Sequence, residues 1–265
     1  MPGNSRRGMI LQDRDRRFLE ELGTLRVVDR EQAKLVAGFG STTRVNARLL
    51  LLTRAGLLRR FFTATSIGGA KALYALTAKG AQLVDVPLRG PRQRKDELLV
   101  AGYFVHHQLM INEIYCTVKY EAIPQEGIAF RRWLSFFVPI APGLRLIPDG
   151  YVEFDTSAGG VAAFLEVDLG AEHGPVWKQK TENYLQLALR PGQESENIHR
   201  PFRVLVIANS ERRLRAIRAV VSRETEKIFW FADFNTIRNR GFWAPVWLRP
   251  KDDTCRPFIK GNIHP

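Results

Sequence analysis

A chain of 265 residues, 45% of them hydrophobic, can bury a sizeable core and has room for two domains. No apolar run nears the ~20 residues needed to span a bilayer, and the basic start is followed by no signal-peptide core, so a membrane protein is excluded and a cytoplasmic location is expected. The net charge of +13 sits almost wholly in residues 1–95, where 19 Lys/Arg face 7 Asp/Glu, and no acidic residue occurs between Glu31 and Asp85.

Such a cationic segment binds phosphates by releasing condensed counterions, so a polyanion partner is expected; the plainer alternative is a solvated surface. Residues 12–22 read as a helix with Phe18, Leu19 and Leu22 inward and Asp13, Arg14, Arg16 and Arg17 outward, stopped by Gly23. Asp29 is a good N-cap for a second, short helix with Ala33, Leu35 and Val36 inward, ended by Gly38 and Gly40. Ser41 caps a third helix to about Arg54, with Val45, Leu49 and Leu52 on one face and Thr43, Arg44, Asn46 and Arg48 opposite. That order is a helix-turn-helix with the third helix in the recognition position. A strand at 57–63, a turn at 66–70, a returning strand at 72–76 and a helix at 78–84 extend it to a winged helix over residues 1–86. Arg44 and Arg48 then reach bases or phosphates of double-stranded DNA, while Arg59, Arg60 and Lys71 lie on or near the wing and touch the backbone. The plainer reading leaves some of these arginines as helix-surface charge.

Residues 87–96 form a basic linker, with two prolines, a glycine and four basic residues before Asp96. Asp96 caps a long helix to about Tyr120 whose broad apolar coverage (Leu98, Leu99, Phe104, Leu109, Ile111, Ile114, Val118) implies burial on two sides, against the second domain and against a partner copy. His106 and His107, adjacent on it, point about 100° apart and do not share a metal. The two cysteines, Cys116 and Cys255, have no C-x-x-C partner and cannot build a zinc site by themselves. The rest of residues 97–265 alternates: strands at 130–138, 144–154 and 161–167, a helix at 175–189, a central apolar strand at 202–208, a basic helix at 211–221, a strand at 228–231, and an irregular tail beyond Arg238. The fold class is α+β or α/β, a mixed sheet flanked by helices.

A turn around Gly159-Gly160 makes a hairpin whose strands carry Asp149 and Glu166, and Asp168 shares a face with Glu166. Converging carboxylates raise one another's pKa unless a cation intervenes, and rigid oxygen donors suit Mg²⁺. The alternative is that Asp149 caps a Pro-Asp-Gly turn while Glu166 and Asp168 form a solvated strand face. On the following helix, a 100°-per-residue wheel puts Lys180 near the edge of the Trp177, Tyr184, Ala188 stripe and Lys178 well away from it.

The segments Tyr74-Ala-Leu-Thr-Ala-Lys-Gly-Ala81, His107-Gln-Leu-Met-Ile-Asn112, Pro148-Asp149, Phe164-Leu-Glu-Val-Asp168 with Gly170-Ala-Glu172, and Lys180 with Tyr184 resemble, in order and spacing, the replication-relaxation family of bacterial mobile-element proteins over about residues 10–220. The resemblance implies a winged-helix DNA binder fused to an α/β domain and associated with plasmid replication or mobilisation. The second domain also resembles the restriction-endonuclease-like PD-(D/E)xK superfamily. There the proline-aspartate and the next acid hold the metal, and a lysine two positions on orients the attacking water; here that position is Asp168. The resemblance therefore implies Mg²⁺ or Mn²⁺ on Asp149 and Glu166, with Asp168 or Glu172 as an extra ligand and Lys180 as the stabilising cation. Three functions follow: a metal-dependent DNA endonuclease, a non-catalytic regulator or accessory factor with a nuclease-like scaffold, and an interaction module whose long helix recruits another enzyme; a second copy or other mobile-element proteins are the expected partners of the helix at 97–120.

Overall fold

The computed structural model describes residues 9–64, 69–90, 102–189 and 201–259. The chain divides into two compact units, Met1–Cys116 and Thr117–Pro265.

The first unit contains α1 (Asp13–Leu25), β1 (Val28–Asp29), α2 (Arg30–Val36), α3 (Thr42–Arg54), β2 (Leu58–Ala64), β3 (Ala70–Leu76), α4 (Ala78–Leu83) and most of α5 (Gly102–Tyr120). Its antiparallel sheet has the order β1-β3-β2. Side-chain caps start the helices: Asp29 accepts from the Gln32 N–H at 2.8 Å, Ser41 from Arg44 at 3.3 Å and Thr77 from Gly80 at 3.0 Å. Phe18, Leu19 and Leu22 of α1 and Val45, Leu49 and Leu52 of α3 are buried in the core of this unit. The expected stop at Gly23 does not occur. α1 continues to Leu25, because Gly23 is a packing position: a Cβ there would stand 3.0 Å from the Cβ of Val86. The chain turns instead at Arg26, at φ 65°.

The long helix begins inside this unit. Val105 packs with Val27, Phe61, Leu73 and Ala75. Buried Asn112 donates to the carbonyls of Leu25 (3.0 Å) and Val27 (2.6 Å), and Gln108 donates to Asn112 at 2.9 Å. Loop carbonyls buried at the α1–β1 corner need donors, and the His107–Asn112 segment supplies them. The boundary between units therefore falls at Cys116/Thr117 and not at the basic stretch. Much of the helix's apolar coverage (Val105, Met110, Ile111, Ile114) is buried within the chain. Asp96, most of the basic linker and residues 66–68 of the expected turn lie outside the described residues.

The second unit contains β4 (Ala129–Leu134), β5 (Gly150–Thr156), β6 (Gly159–Asp168), α6 (Gly174–Ala188), β7 (Phe202–Ala208), α7 (Glu211–Glu224), β8 (Phe229–Asp233), α8 (Phe234–Arg240), β9 (Trp247–Arg249) and β10 (Asp252–Arg256). They build a seven-stranded mixed sheet, β10-β9-β8-β7-β6-β5-β4, in which β6, β7 and β8 are parallel. The apolar run 202–208 is its middle strand, and residues 204–208 are buried on both faces. Trp177 and Tyr184 of α6 and Leu214, Ile217 and Val221 of α7 cover one face over Phe164, Val204, Val206, Phe229 and Phe231.

The tail expected to be irregular covers the other face. It includes β9 and β10, and its Trp243 and Phe258 rings meet Phe154 at 5.1 and 6.2 Å. Strands of three and five residues are too short to show a period. The hairpin turns at Ser157-Ala158, since Thr156 pairs with Gly159, and Gly159 takes φ 111°. Residues expected to extend β4 and β5, at 135–138 and 144–149, instead form a loop closed by the Ile140 N–H on the Leu146 carbonyl at 3.0 Å. Among the described residues, no helix is long and apolar enough to cross a membrane.

Candidate functional site

The outer face of α3 carries Thr43, Arg44 and Asn46, all exposed. Arg48 does not join them. Its Nε donates to Asp15 at 2.8 Å, its Nη2 to the other Asp15 oxygen and to the Ile10 carbonyl at 2.8 Å, and the Asp15 side chain is 1% exposed. The Asp15 hydrogen bond raises the pKa of Arg48 against the cost of its burial. The assignment of Arg48 to DNA is thus corrected. A buried carboxylate requires its cation, and a helical wheel of α3 cannot show a partner on α1.

On β2, Arg59 is half-buried, with its guanidinium 5.7 Å from the Phe61 ring, and burial lowers its pKa. Arg60 is exposed beside Phe62. Lys71 on β3 pairs with Asp29 at 2.5 Å. A cleft of about 330 Å³ lined by Arg30, Asn46, Lys71 and Tyr74 lies between α3 and β3.

In the second unit the pairing of Gly150 with Leu165 sets Asp149 opposite Glu166. The Asp149 N–H donates to the Leu165 carbonyl at 3.1 Å, and its carboxylate accepts from the Val167 N–H at 2.7 Å. Trp133 packs onto the bare backbone of Gly150, where a Cβ would stand 2.3 Å from the indole; this close packing sets the strand beside Asp149.

Glu166 is buried. It accepts from Lys180 Nζ at 2.7 Å on one oxygen and from the Tyr184 hydroxyl at 2.5 Å on the other. Lys180 also reaches Glu172 at 2.7 Å. Lys178, by contrast, faces outward towards Glu182 and Glu224. Tyr184, to which the sequence assigned no role of its own, is the group that orients Glu166.

Asp168 is drawn away from this cluster. Arg213 Nε and Nη2 donate to its two oxygens at 2.6 and 2.8 Å, Trp177 Nε1 adds a bond at 3.0 Å and the Gly170 N–H one at 2.8 Å. The sequence reading missed Arg213. Its one local signal is its place three residues past the Ser210 cap, in the first turn after the central strand. Among the described residues, no three His, Cys, Asp or Glu side chains are grouped to hold a metal ion. The three-carboxylate arrangement is therefore corrected to a pair, Asp149 and Glu166. The solvated-face alternative is corrected as well, because Glu166 and Asp168 are 1% and 2% exposed.

Burial pushes the Glu166 carboxyl up to about 7, opposed by the Lys180 ammonium and assisted by Asp149. Burial disfavours the Lys180 ammonium, but Glu166 and Glu172 outweigh it and hold its pKa above the usual lysine value. Burial and Glu166 likewise raise Tyr184. A carboxyl whose pKa rises on folding contributes its full stability only below its ordinary value of 4.5, and that contribution is lost as the pH climbs through about 7. Glu166→Gln should therefore gain in melting temperature relative to the unsubstituted protein between about pH 5 and about pH 8. Thermal melts at matched ionic strength check this, and a difference that stays flat with pH would contradict it.

The family model described as replication-relaxation matches residues 19–200. No curated protein and no solved structure matches the chain.

Proposed function

The chain belongs to the replication-relaxation family, and from that premise we propose that it is a double-stranded-DNA-binding protein of plasmid or mobile-element replication or mobilisation. In this reading the first unit is a winged helix: α3 enters the major groove with Thr43, Arg44 and Asn46, and the β2–β3 hairpin is the wing, carrying Arg60 and Lys71. The observation that carries the reading is the outward face of α3, exposed within residues 1–95, the segment that holds nearly all of the net charge.

A gel-shift titration across salt concentrations tests it. Affinity should fall steeply with salt. Arg44→Glu should weaken binding roughly tenfold to a hundredfold, the scale of one lost base or phosphate contact, and Arg212→Glu much less. Equal losses, or no duplex binding, would sink the assignment. Arg48 is unsuitable as a probe, because its loss strands Asp15.

A second reading, cleavage, is favoured by Asp149 standing opposite Glu166 with Lys180 beside it. The second unit would then be a restriction-endonuclease-like domain. Mg²⁺ or Mn²⁺ binds through one or two carboxylates plus water and phosphate oxygens, and two carboxylates are what Asp149 and Glu166 provide. The ion would supply Lewis-acid polarisation of the phosphate. Lys180 holds positive charge at the edge of the site, Tyr184 orients Glu166, and Asp168 stays with Arg213. The same bonds from Lys180 and Tyr184 to Glu166 also suit a nuclease-like scaffold without catalysis. Incubating DNA-binding protein with supercoiled and linear DNA in Mg²⁺ or Mn²⁺ separates the two.

A further inference from the structure

On the sheet face opposite Glu166, one row of side chains crosses four strands. Arg203 on β7 stacks over Trp230 on β8 at 5.0 Å, and Arg249 on β9 covers the same indole at 4.8 Å. Arg249 pairs across with Asp252 on β10, and Arg256 holds Asp252 at 2.6 Å. These residues all follow position 200, where the family match ends. Lys251 and Glu226, paired at 2.6 Å, complete a pocket of about 280 Å³ around Trp230, Arg249, Asp252 and Arg256.

The row carries more positive than negative charge. Four cations face two carboxylates, and Arg203, Arg249 and Arg256 form a chain of like charges: burial lowers the Arg203 pKa with Arg249 adding to the effect, and burial lowers Arg249 with Arg256 adding to it and Asp252 opposing it. Each guanidinium carries five donors, more than the carbonyls of Phe258 and Glu226 and the Asp252 carboxylate take up. The volume is near the lower end of the ~300–1,000 Å³ usual for ligand pockets, which suits a phosphate with its sugar better than a larger molecule. An anion rich in acceptor oxygens answers both the surplus charge and the surplus donors.

We propose that this row is a phosphate-binding pocket that takes a phosphodiester group of nucleic acid, separate from the Asp149–Glu166 pair. The nucleic-acid part of this proposal rests on the DNA-binding reading above. The test uses the full chain with two probes, inorganic phosphate by calorimetric titration and duplex DNA by salt-dependent gel shift. Arg249→Gln/Arg256→Gln should weaken phosphate binding at least tenfold and flatten the DNA salt slope by about one to two phosphate contacts. Arg256→Gln alone, at an exposed position, should give a smaller loss in the same direction with an unchanged melting temperature. No phosphate binding by the unsubstituted protein, or equal binding by the variants, overturns the pocket. Phosphate binding lost with an unchanged salt slope overturns the nucleic-acid assignment in favour of free phosphate. Phosphate binding by a chain that fails to shift DNA overturns the DNA-binding reading and leaves the pocket standing.

Discussion

Arg213→Ala is expected to lower the stability of the second unit by about 3–5 kcal/mol, the scale of removing one partner of a buried ion pair. The Asp168 side chain is 1% exposed, and Arg213 supplies donors to both of its oxygens as well as to the Glu172 carbonyl. Without Arg213, only the Trp177 and Gly170 bonds remain to a carboxylate shut off from water. Burial would raise the Asp168 pKa, but Arg213, Trp177 and Gly170 together bring it below the ordinary value. A carboxyl depressed in this way contributes stability above its ordinary pKa and loses it as the pH falls through the folded value. The deficit of the variant should therefore be largest at neutral pH and shrink in acid. Urea denaturation monitored by tryptophan fluorescence measures it, with exposed Arg212→Ala as a control expected within about 0.5 kcal/mol of the parent. A loss below about 1 kcal/mol for Arg213→Ala would mean that Asp168 finds other partners.

If the second unit cleaves DNA, Asp149→Ala and Glu166→Ala should each abolish cleavage and leave duplex affinity nearly unchanged, because neither carboxylate is among the cationic groups assigned to phosphate contacts. Lys180→Ala should slow the chemical step by roughly 10²–10³, the loss seen when one preorganised stabilising group is removed. Lys178→Ala should have little effect, since that ammonium faces Glu182 and Glu224. Asp168→Asn should not mimic the Asp149 or Glu166 variants, because its oxygens belong to Arg213. Single-turnover cleavage of supercoiled plasmid in Mg²⁺ or Mn²⁺ reads all of these. No cleavage of duplex, branched or single-stranded DNA by protein that binds DNA normally would leave the nuclease-like scaffold as the reading.

The parts of this protein that the sequence determines by itself are those set by local chemistry. Asp29, Ser41 and Thr77 accept from backbone N–H groups three residues ahead, so capping is decided within one turn. The apolar run 202–208 needs cover on both faces, which only a middle strand receives, and β7 is that strand. The sequence likewise places Asp149 and Glu166 on the two strands of one hairpin, while the register that sets them opposite each other comes from the turn at Ser157-Ala158.

What the tertiary structure alone decided is the pairing of charges distant in sequence. Arg48 meets Asp15 across 33 positions and Arg213 meets Asp168 across 45; in each case an expected DNA contact or metal ligand became a buried salt bridge. The same holds for Gly23, whose role depends on Val86 packing against it, and for the tail, whose short strands are held by a sheet already built. The physical reason is common to all of them. A charge or a bare backbone surface is indifferent to its neighbours in sequence, and its free energy is settled by whatever burial brings against it.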